Sequence, residues 1–192
     1  QFTDYGMDLY APQTTRDSEG RRVMEGWIRM PKPAEEGWIG MLCLPRIVER
    51  KGNHIYFRIH PNVRAAYSKE ITDISCASKD GYMAVFELED GETADIGGFL
   101  IKRKGNRIQT DRTAVYPSFE GAHLLSETPE LTDECRIEVL ADKNLIEVYI
   151  NDGEYVISNA VYGIGDFIKV NIEKTVHLYT LKEHDERTRG EE

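Results

Sequence analysis

The feature of this sequence that most restricts its fold is a two-residue alternation of side-chain character in many short segments. In the clearest case, Ile146, Val148 and Ile150 alternate with Glu147 and Tyr149. This period places neighbouring side chains on opposite faces of a β-strand, and it predicts here a strand with one face in a core. The predicted strands are Val23 to Met30, Ile55 to Ile59, Tyr82 to Leu88, Phe99 to Lys102, Arg136 to Leu140, Leu145 to Ile150, Tyr155 to Ser158, Ile168 to Ile172 and Val176 to Leu181.

Turn-forming residues separate these segments. They are Asp17-Ser18-Glu19-Gly20, Lys51-Gly52-Asn53, Lys79-Asp80-Gly81, Gly105-Asn106 and Asn151-Asp152-Gly153. The last group lies between two alternating runs and supplies the positive φ angles that a tight hairpin needs. Many short strands with turns at this spacing predict an all-β protein, an antiparallel sandwich or barrel. The one helical segment that the sequence predicts, of one turn or two, runs from Pro61 to Tyr67, since proline is favoured at a helix start.

A change of composition divides the chain into three parts. The stretch from Pro31 to Gly37 is rich in proline and charge and is typical of a connector. We therefore predict an N-terminal hairpin with its connector at residues 1–36, a β-sandwich domain at 37–182 and a charged tail at 183–192. Because the chain begins with Gln1 rather than Met, we expect that it was processed or cut from a longer protein.

The charge of the chain restricts its partners. Thirty-four acidic residues against 24 basic ones give a net charge of −10, which argues against a nucleic acid or an anionic membrane as partner. No stretch approaches the roughly 20 apolar residues of a membrane span. The three cysteines, Cys43, Cys76 and Cys135, are widely spaced, and we interpret them as buried reduced thiols of a cytoplasmic protein. No metal site and no cofactor are predicted, because the histidines do not cluster near a cysteine at ligand spacing.

Two blocks of sequence carry a resemblance to a known family. Residues 4–14 read DYGMDLYAPQT and residues 20–28 read GRRVMEGWI, followed by Gly37-Trp38 and Leu44-Pro45-Arg46. Residues 137–153 read IEVLADKNLIEVYINDG. In this order the blocks resemble the end of the five-bladed propeller, the junction and the sandwich signature of glycoside hydrolase family 32. They are most similar to those of its bacterial sucrose-6-phosphate hydrolases, invertases and levanases.

The resemblance implies a specific architecture. The chain would be the C-terminal part of such an enzyme, a β-sandwich of two sheets preceded by a hairpin remnant of the propeller. Its implied partner is the N-terminal propeller of the intact enzyme, while a homodimer and a sugar ligand are further partners that we consider. Two departures from the family pattern, Ile47-Val48 after Leu-Pro-Arg and Lys143-Asn144 after Asp142, concern the subfamily more than the fold.

No complete catalytic site is predicted in this chain. Retaining glycosidases need two carboxylates roughly 5 to 5.5 Å apart, and the resemblance implies that the family's three catalytic carboxylates lie upstream of Gln1. Arg16-Asp17 is followed by Ser18 and does not match the family's RDP motif. Glu134-Cys135 is a literal match to the family's EC motif, but it opens a strand of the sandwich half, and we interpret it as a chance dipeptide.

Three residues are candidates for the rim of the sugar pocket in the intact enzyme. The resemblance places Asp8, Tyr10 and Trp27 in a block that packs beside this pocket, where Trp27 would stack on a fructosyl face. The structural alternative is that Tyr10 and Trp27 fill the propeller core while Asp8 holds a turn.

Two functions from different classes remain open at this point. In the first, the chain is a non-catalytic sandwich module of a β-fructofuranosidase with a structural or assembly role. In the second, it is a carbohydrate-binding module that itself binds fructan or sucrose through an aromatic platform. Binding of sugar by the chain alone would distinguish the second function from the first.

Overall fold

The computed structural model describes residues 1–77, 81–132, 135–170 and 175–182, and these residues are mainly β-strand. The strands are β1 (Leu9–Arg16), β2 (Arg22–Ile28), β3 (Met41–Leu42), β4 (Arg46–Lys51), β5 (His54–Ile59), β6 (Lys69–Ile71), β7 (Tyr82–Glu87), β8 (Thr93–Ile96), β9 (Phe99–Lys104), β10 (Arg107–Asp111), β11 (Leu125–Glu127), β12 (Arg136–Ala141), β13 (Leu145–Ile150), β14 (Tyr155–Ala160), β15 (Ile168–Lys169) and β16 (His177–Thr180). Helix α1 spans Pro61–Ala66, and 3₁₀ turns span Ile74–Cys76 and Thr113–Val115. The helices of these residues fall short of the length and apolar character that a bilayer crossing requires.

Two antiparallel sheets form the predicted sandwich. One has six strands in the order β14-β13-β12-β7-β16-β6, and the other has five in the order β11-β10-β9-β8-β15. Their facing side chains make the main core, in which Phe99 and Ile101 from the five-stranded sheet lie with Val139 and Val148 from the six-stranded sheet, all fully buried. The expectation of an all-β sandwich is confirmed.

A third sheet covers the opposite face of the six-stranded sheet. It contains β1-β2-β4-β5 in that order, with β3 also paired to β2. Met24 and Phe57 of this sheet pack in a second cluster with Leu140, Tyr149 and Val156, which alternate along their strands with the residues of the main core. We call this third sheet the N-terminal sheet. The predicted hairpin is present in it as β1 and β2.

The six-stranded sheet is therefore the middle layer, and this corrects one expectation. Strand β13 was predicted to have one face in a core, yet all six of its residues are buried, including Glu147 and Tyr149. The sequence alone suggested a solvent-facing side because Glu147 is charged. In the structure that carboxylate is held by an internal arginine, so a charged residue does not mark an exposed face here.

Most predicted strands occur close to their expected positions. The strand predicted from Ile168 to Ile172 is described as β15 up to Lys169, while residues 171 and 172 lie outside the described residues, as do 79 and 80 of one predicted turn and the predicted tail. The hairpin at Asn151-Asp152-Gly153 is confirmed, with φ angles of 48°, 58° and 87°. The predicted helix is confirmed as α1.

Several strands were not predicted individually, and their burial explains why. Strand β1 was expected only as a member of the N-terminal hairpin, because almost every one of its residues is exposed and it has no apolar alternation to detect. Strand β10 does alternate, but one of its inward positions is Thr110, which is 2% exposed, so its buried side is not wholly apolar. Pattern reasoning detects strands only where one face is apolar.

The segment before β1 covers the free edge of the six-stranded sheet. Tyr5 donates its backbone N–H to Val156 O at 2.8 Å, and the amide of Asn159 donates to Gly6 O at 2.7 Å. The Asp4 carboxylate accepts from Ser158 N at 2.9 Å. A Cβ atom on Gly6 would lie 1.9 Å from Ser158 O, so only glycine permits this approach. An uncovered edge strand is prone to pair with other chains, and this segment prevents that at β14.

Arg46 joins the N-terminal segment, the N-terminal sheet and the six-stranded sheet. Its guanidinium donates to Asp4 Oδ2 at 2.8 Å and to Glu147 Oε1 at 2.7 Å. Arg46 and Glu147 are fully buried and the Asp4 side chain is nearly so. Tyr149 donates its hydroxyl to Glu147 at 3.0 Å, and the Ser158 hydroxyl donates to the same carboxylate. We call Arg46, Asp4, Glu147, Tyr149 and Ser158 the Arg46 network.

Replacing Arg46 with Met should lower the free energy of unfolding by about 3–5 kcal/mol, because two buried carboxylates would lose their shared cation. The measurement is urea denaturation followed by circular dichroism. Arg22→Met is the matched control, since Arg22 is exposed on β2, and it should change the free energy by no more than about 0.5 kcal/mol. A loss below about 1 kcal/mol for Arg46→Met would show that the network contributes little net stability.

Candidate functional site

An exposed row of side chains crosses the outer face of the N-terminal sheet. Tyr10 of β1 pairs with Trp27 of β2, which in turn pairs with Leu42 of β3. These three side chains are 54%, 43% and 63% exposed. The rings of Tyr10 and Trp27 meet edge to face, with centroids 6.2 Å apart. We call these three residues the aromatic face, and apolar surface exposed in this way is typical of a binding surface.

The alternation of β2 creates this exposure. Met24, Gly26 and Ile28 are buried on the inner face of the strand. Because side chains alternate between the two faces, Trp27 lies on the outer face. Gly26 is required there, since a Cβ atom would lie 2.5 Å from a methyl group of Leu9. At Gly40, which has a φ of +81°, a Cβ atom would lie 2.0 Å from Nε1 of Trp27. Glycine at this position therefore leaves the space in which the indole lies.

A β-bulge sets the position of Tyr10. The register between β1 and β2 shifts between Tyr10 and Gln13, and Ala11 has a φ of 48°. A positive φ is uncommon for a residue with a side chain, and such distortions occur next to functional sites. The bulge leaves Tyr10 opposite Trp27 rather than one position away from it.

Asp8 lies apart from the aromatic face although it is close in sequence. Its side chain is buried and forms a two-point ion pair with Arg112, whose NH2 donates to Oδ1 at 3.1 Å. The same carboxylate accepts from Ala160 N at 2.9 Å. Arg112 also lies over the ring of Tyr116, 3.6 Å from its centroid. Asp8 thus connects the start of β1 to the sandwich, while Tyr10 and Trp27 are the two candidates that the structure brings together.

Arg29 belongs to the same surface and was missed in the sequence. Its guanidinium carbon lies 5.4 Å from the centroid of the Tyr10 ring, and its NH2 donates to Met7 O at 2.9 Å. Position 29 follows Trp27 by two residues, which on an extended chain places both on the same side. That spacing was the available signal, but a lone arginine in sequence does not show which ring it covers.

Three of the described carboxylates are held by basic side chains and do not resemble a free catalytic acid. Burial would raise the pKa of Asp17, but hydrogen bonds from Arg21 and His60 lower it to about 2, so this group cannot act as an acid near neutral pH. Asp4 and Glu147 both bind Arg46 within the interior. Glu134, interpreted from the sequence as part of a chance dipeptide, lies outside the described residues, so that interpretation stays a prediction. No group of three metal-ligating side chains occurs within residues 1–77, 81–132, 135–170 and 175–182.

Two of the cysteines are buried and free of disulfides, as predicted. They are Cys43 and Cys135. Burial raises the pKa of the Cys43 thiol to about 11 and also raises that of Cys135. The side chain of Cys76 lies outside the described part of the structure. Because the thiolate is the reactive form, neither described thiol suits a nucleophile.

Two sequence models of one family together match most of the chain. The model described as Glycosyl hydrolases family 32 N-terminal domain matches residues 1–61, and the model described as Glycosyl hydrolases family 32 C terminal matches residues 58–184.

Curated proteins similar to the chain include hydrolases of sucrose derivatives. A sucrose-6-phosphate hydrolase of Vibrio alginolyticus is 26% identical, covering 93% of this chain and 40% of that protein. The sucrose-6-phosphate hydrolase of Bacillus subtilis is 28% identical over 82% of this chain and 37% of its own length. A raffinose invertase of Escherichia coli is 27% identical over 85% of this chain and 38% of its own length. The chain therefore spans about two fifths of the length of these relatives.

Solved structures share the fold. The sucrose-6-phosphate hydrolase from Lactobacillus gasseri aligns with a TM-score of 0.75 at 16% identity, over 94% of this chain and 42% of that one. A glycoside hydrolase family 32 protein from Bifidobacterium adolescentis aligns with a TM-score of 0.72 at 21% identity, over 95% of this chain and 33% of that one.

Cys43 and Cys135 should resist alkylation by iodoacetamide in the folded protein at mildly alkaline pH, because burial keeps both thiols protonated and covered. The measurement is peptide mass spectrometry after brief treatment, and the same treatment in denaturant is the control in which both should react. Modification of Cys43 in the folded protein at the rate of an unfolded peptide would contradict this burial.

Proposed function

Because the chain belongs to glycosyl hydrolase family 32, we propose that it forms the C-terminal sandwich of a β-fructofuranosidase and braces the propeller that carries the catalysis. The supporting observation is a set of three buried ion pairs, centred on two arginines, that join the N-terminal part of the chain to the sandwich. Arg46 binds Asp4 and Glu147, and Arg112 binds Asp8. These contacts fix the N-terminal sheet relative to the six-stranded sheet. The domain boundaries at residues 36 and 182 remain part of this proposal.

The reaction proposed for the whole protein is hydrolysis of a terminal β-fructofuranoside with retention. It requires a carboxylate nucleophile and a carboxylic acid with a raised pKa on either side of the scissile bond. Both would come from the propeller proposed for the part of the relatives' length that this chain does not span. Sucrose and sucrose 6-phosphate are the leading substrates, in accord with the activities for which those relatives are named.

The aromatic face is the proposed contribution of this chain to the sugar pocket. Tyr10 and Trp27 present exposed rings beside each other, and the apolar face of a furanose ring can pack against such rings. Asp8 would act indirectly, because its carboxylate is engaged by Arg112 and Ala160 and holds the start of β1 in place. The intact propeller would cover the rest of the outer face, including Leu42.

The exposure of Tyr10 and Trp27 also supports the second candidate function, direct binding of fructan or sucrose by the chain alone. The two functions differ in affinity. A pocket rim that is completed by other blades should bind free sugar weakly, whereas a carbohydrate-binding module should bind it without help.

A cytoplasmic location fits the free thiols of Cys43 and Cys135 and belongs to this proposal. A homodimer stays a prediction from the sequence.

No fructose should be released when the chain is incubated at high concentration with sucrose, sucrose 6-phosphate or inulin, because the required carboxylate pair would be absent. Release is measured by enzymatic assay of free fructose. Release that survives Glu134→Gln would place the catalytic carboxylates elsewhere in these 192 residues. Release that Glu134→Gln abolishes would overturn the interpretation of Glu134-Cys135 as a chance dipeptide.

Sucrose should quench the fluorescence of Trp27 weakly, with a dissociation constant above about 1 mM, which corresponds to about −4 kcal/mol. Trp38→Phe isolates the signal of Trp27, and Trp27→Phe is the matched control, since these are the two tryptophans of the chain and are similarly exposed. Binding well below 1 mM would favour the carbohydrate-binding module. An unchanged Trp27 signal at saturating sugar would remove the support for a sugar-binding face.

A further inference from the structure

Arg29 places a positive charge at the edge of the aromatic face. One of its N–H groups donates to Met7 O, and the guanidinium lies against the Tyr10 ring. The side chain is exposed and makes no ion pair with any residue in the described ranges. A guanidinium has five N–H donors, so most of them remain available to a ligand that contacts Tyr10.

Tyr116 of the sandwich packs against the cluster that contains Ile28 and Met30, the two chain neighbours of Arg29. Tyr116 is half-buried, and its hydroxyl makes no hydrogen bond to the described part of the chain. Burial raises the pKa of this phenol, and the charges of Arg112 and Arg29 oppose that increase. The phenol therefore stays protonated near neutral pH and can donate a hydrogen bond.

From this arrangement we propose that Arg29, assisted by the Tyr116 hydroxyl, is an anion subsite that binds the phosphate of a phosphorylated sugar lying on the aromatic face. This rests on the proposed function, in which Tyr10 and Trp27 contact the sugar. It makes Arg29 a specificity-determining residue that favours sucrose 6-phosphate over sucrose, and it gives the sandwich a part in ligand binding through Tyr116.

The local charges support this assignment. The carboxylate of Asp8, the neighbour of Arg29 across the sheet, is neutralised by Arg112 and cannot compensate Arg29. The chain as a whole carries a net charge of −10, which disfavours anions elsewhere on its surface. A guanidinium also matches the geometry of a phosphate, since two parallel N–H groups can donate to two oxygens.

The experiment is a nuclear magnetic resonance titration of the ¹⁵N-labelled chain, which follows the Nε–H signals of Arg29 and Trp27. The ligands are sucrose, sucrose 6-phosphate and inorganic phosphate. Sucrose 6-phosphate should shift both signals and reach half-saturation at a concentration about threefold to tenfold lower than sucrose, as expected for a solvent-exposed charge-assisted contact.

Three variants separate the contributions. Arg29→Gln should abolish the preference for the phosphorylated sugar while sucrose still shifts the Trp27 signal. Tyr116→Phe should reduce the preference in part. Arg22→Gln is the matched control, because Arg22 is an exposed arginine at the other end of β2, which Arg29 directly follows. Its side chain donates to the Thr14 hydroxyl, and the substitution should leave the preference unchanged.

Each other outcome overturns a specific part of the inference. Equal half-saturation by the two sugars, or a preference that survives Arg29→Gln, would refute the anion subsite and leave the sugar-binding face intact. A further contrary result is that inorganic phosphate shifts the Arg29 signal with the same half-saturation concentration as sucrose 6-phosphate, while the Trp27 signal does not move. That result would identify a free-phosphate site instead of a sugar-phosphate site. If neither sugar shifts Trp27, the sugar-binding face itself fails, and the subsite fails with it.

Discussion

The burial of one charged side chain, Arg46, decides how the layers of this molecule are joined. A fully buried guanidinium is costly unless its charge and its hydrogen bonds are satisfied. Asp4 from the N-terminal segment and Glu147 from the six-stranded sheet neutralise the charge and accept hydrogen bonds from its two terminal nitrogens, while Nε has no partner among the described residues. Arg46 itself belongs to the N-terminal sheet. Burial alone would lower the pKa of Arg46, but Tyr149 and the two carboxylates hold it well above its usual range. The cation therefore stays charged and requires all three parts to be in place.

The aromatic face depends on this arrangement. With the inner side of the N-terminal sheet packed on the six-stranded sheet, the outer side with Tyr10 and Trp27 is the one left open. The ion pair of Asp8 with Arg112 fixes the start of β1, and the Arg112 guanidinium also lies over the ring of Tyr116 in the sandwich. The sandwich thus acts on the proposed sugar site by holding the strands that carry it.

Much of the fold could be predicted because its strands bury apolar faces. The hairpin at Asn151 to Gly153 was predictable from local turn chemistry, and β7 and β12 from their residue types. Strand β1 was not, because it is held by pairing with β2 and by the contacts of the segment before it rather than by apolar burial of its own. The site was predictable in part. Tyr10 and Trp27 came from a family resemblance, whereas Arg29 could be recognised only once its position over Tyr10 was known.

By itself, the sequence determined the strand periodicity, the turns, the all-β class and the family, since these depend on residue type and on local spacing. Only the tertiary structure decided that the six-stranded sheet is buried on both faces and that Glu147 is an internal ion-pair partner. It also decided that Asp8 is engaged by Arg112 while Tyr10 and Trp27 face outward. The physical reason is that these outcomes depend on pairs of residues about 100 positions apart, such as Arg46 with Glu147 and Asp8 with Arg112. No local pattern encodes which distant partner will satisfy a buried charge.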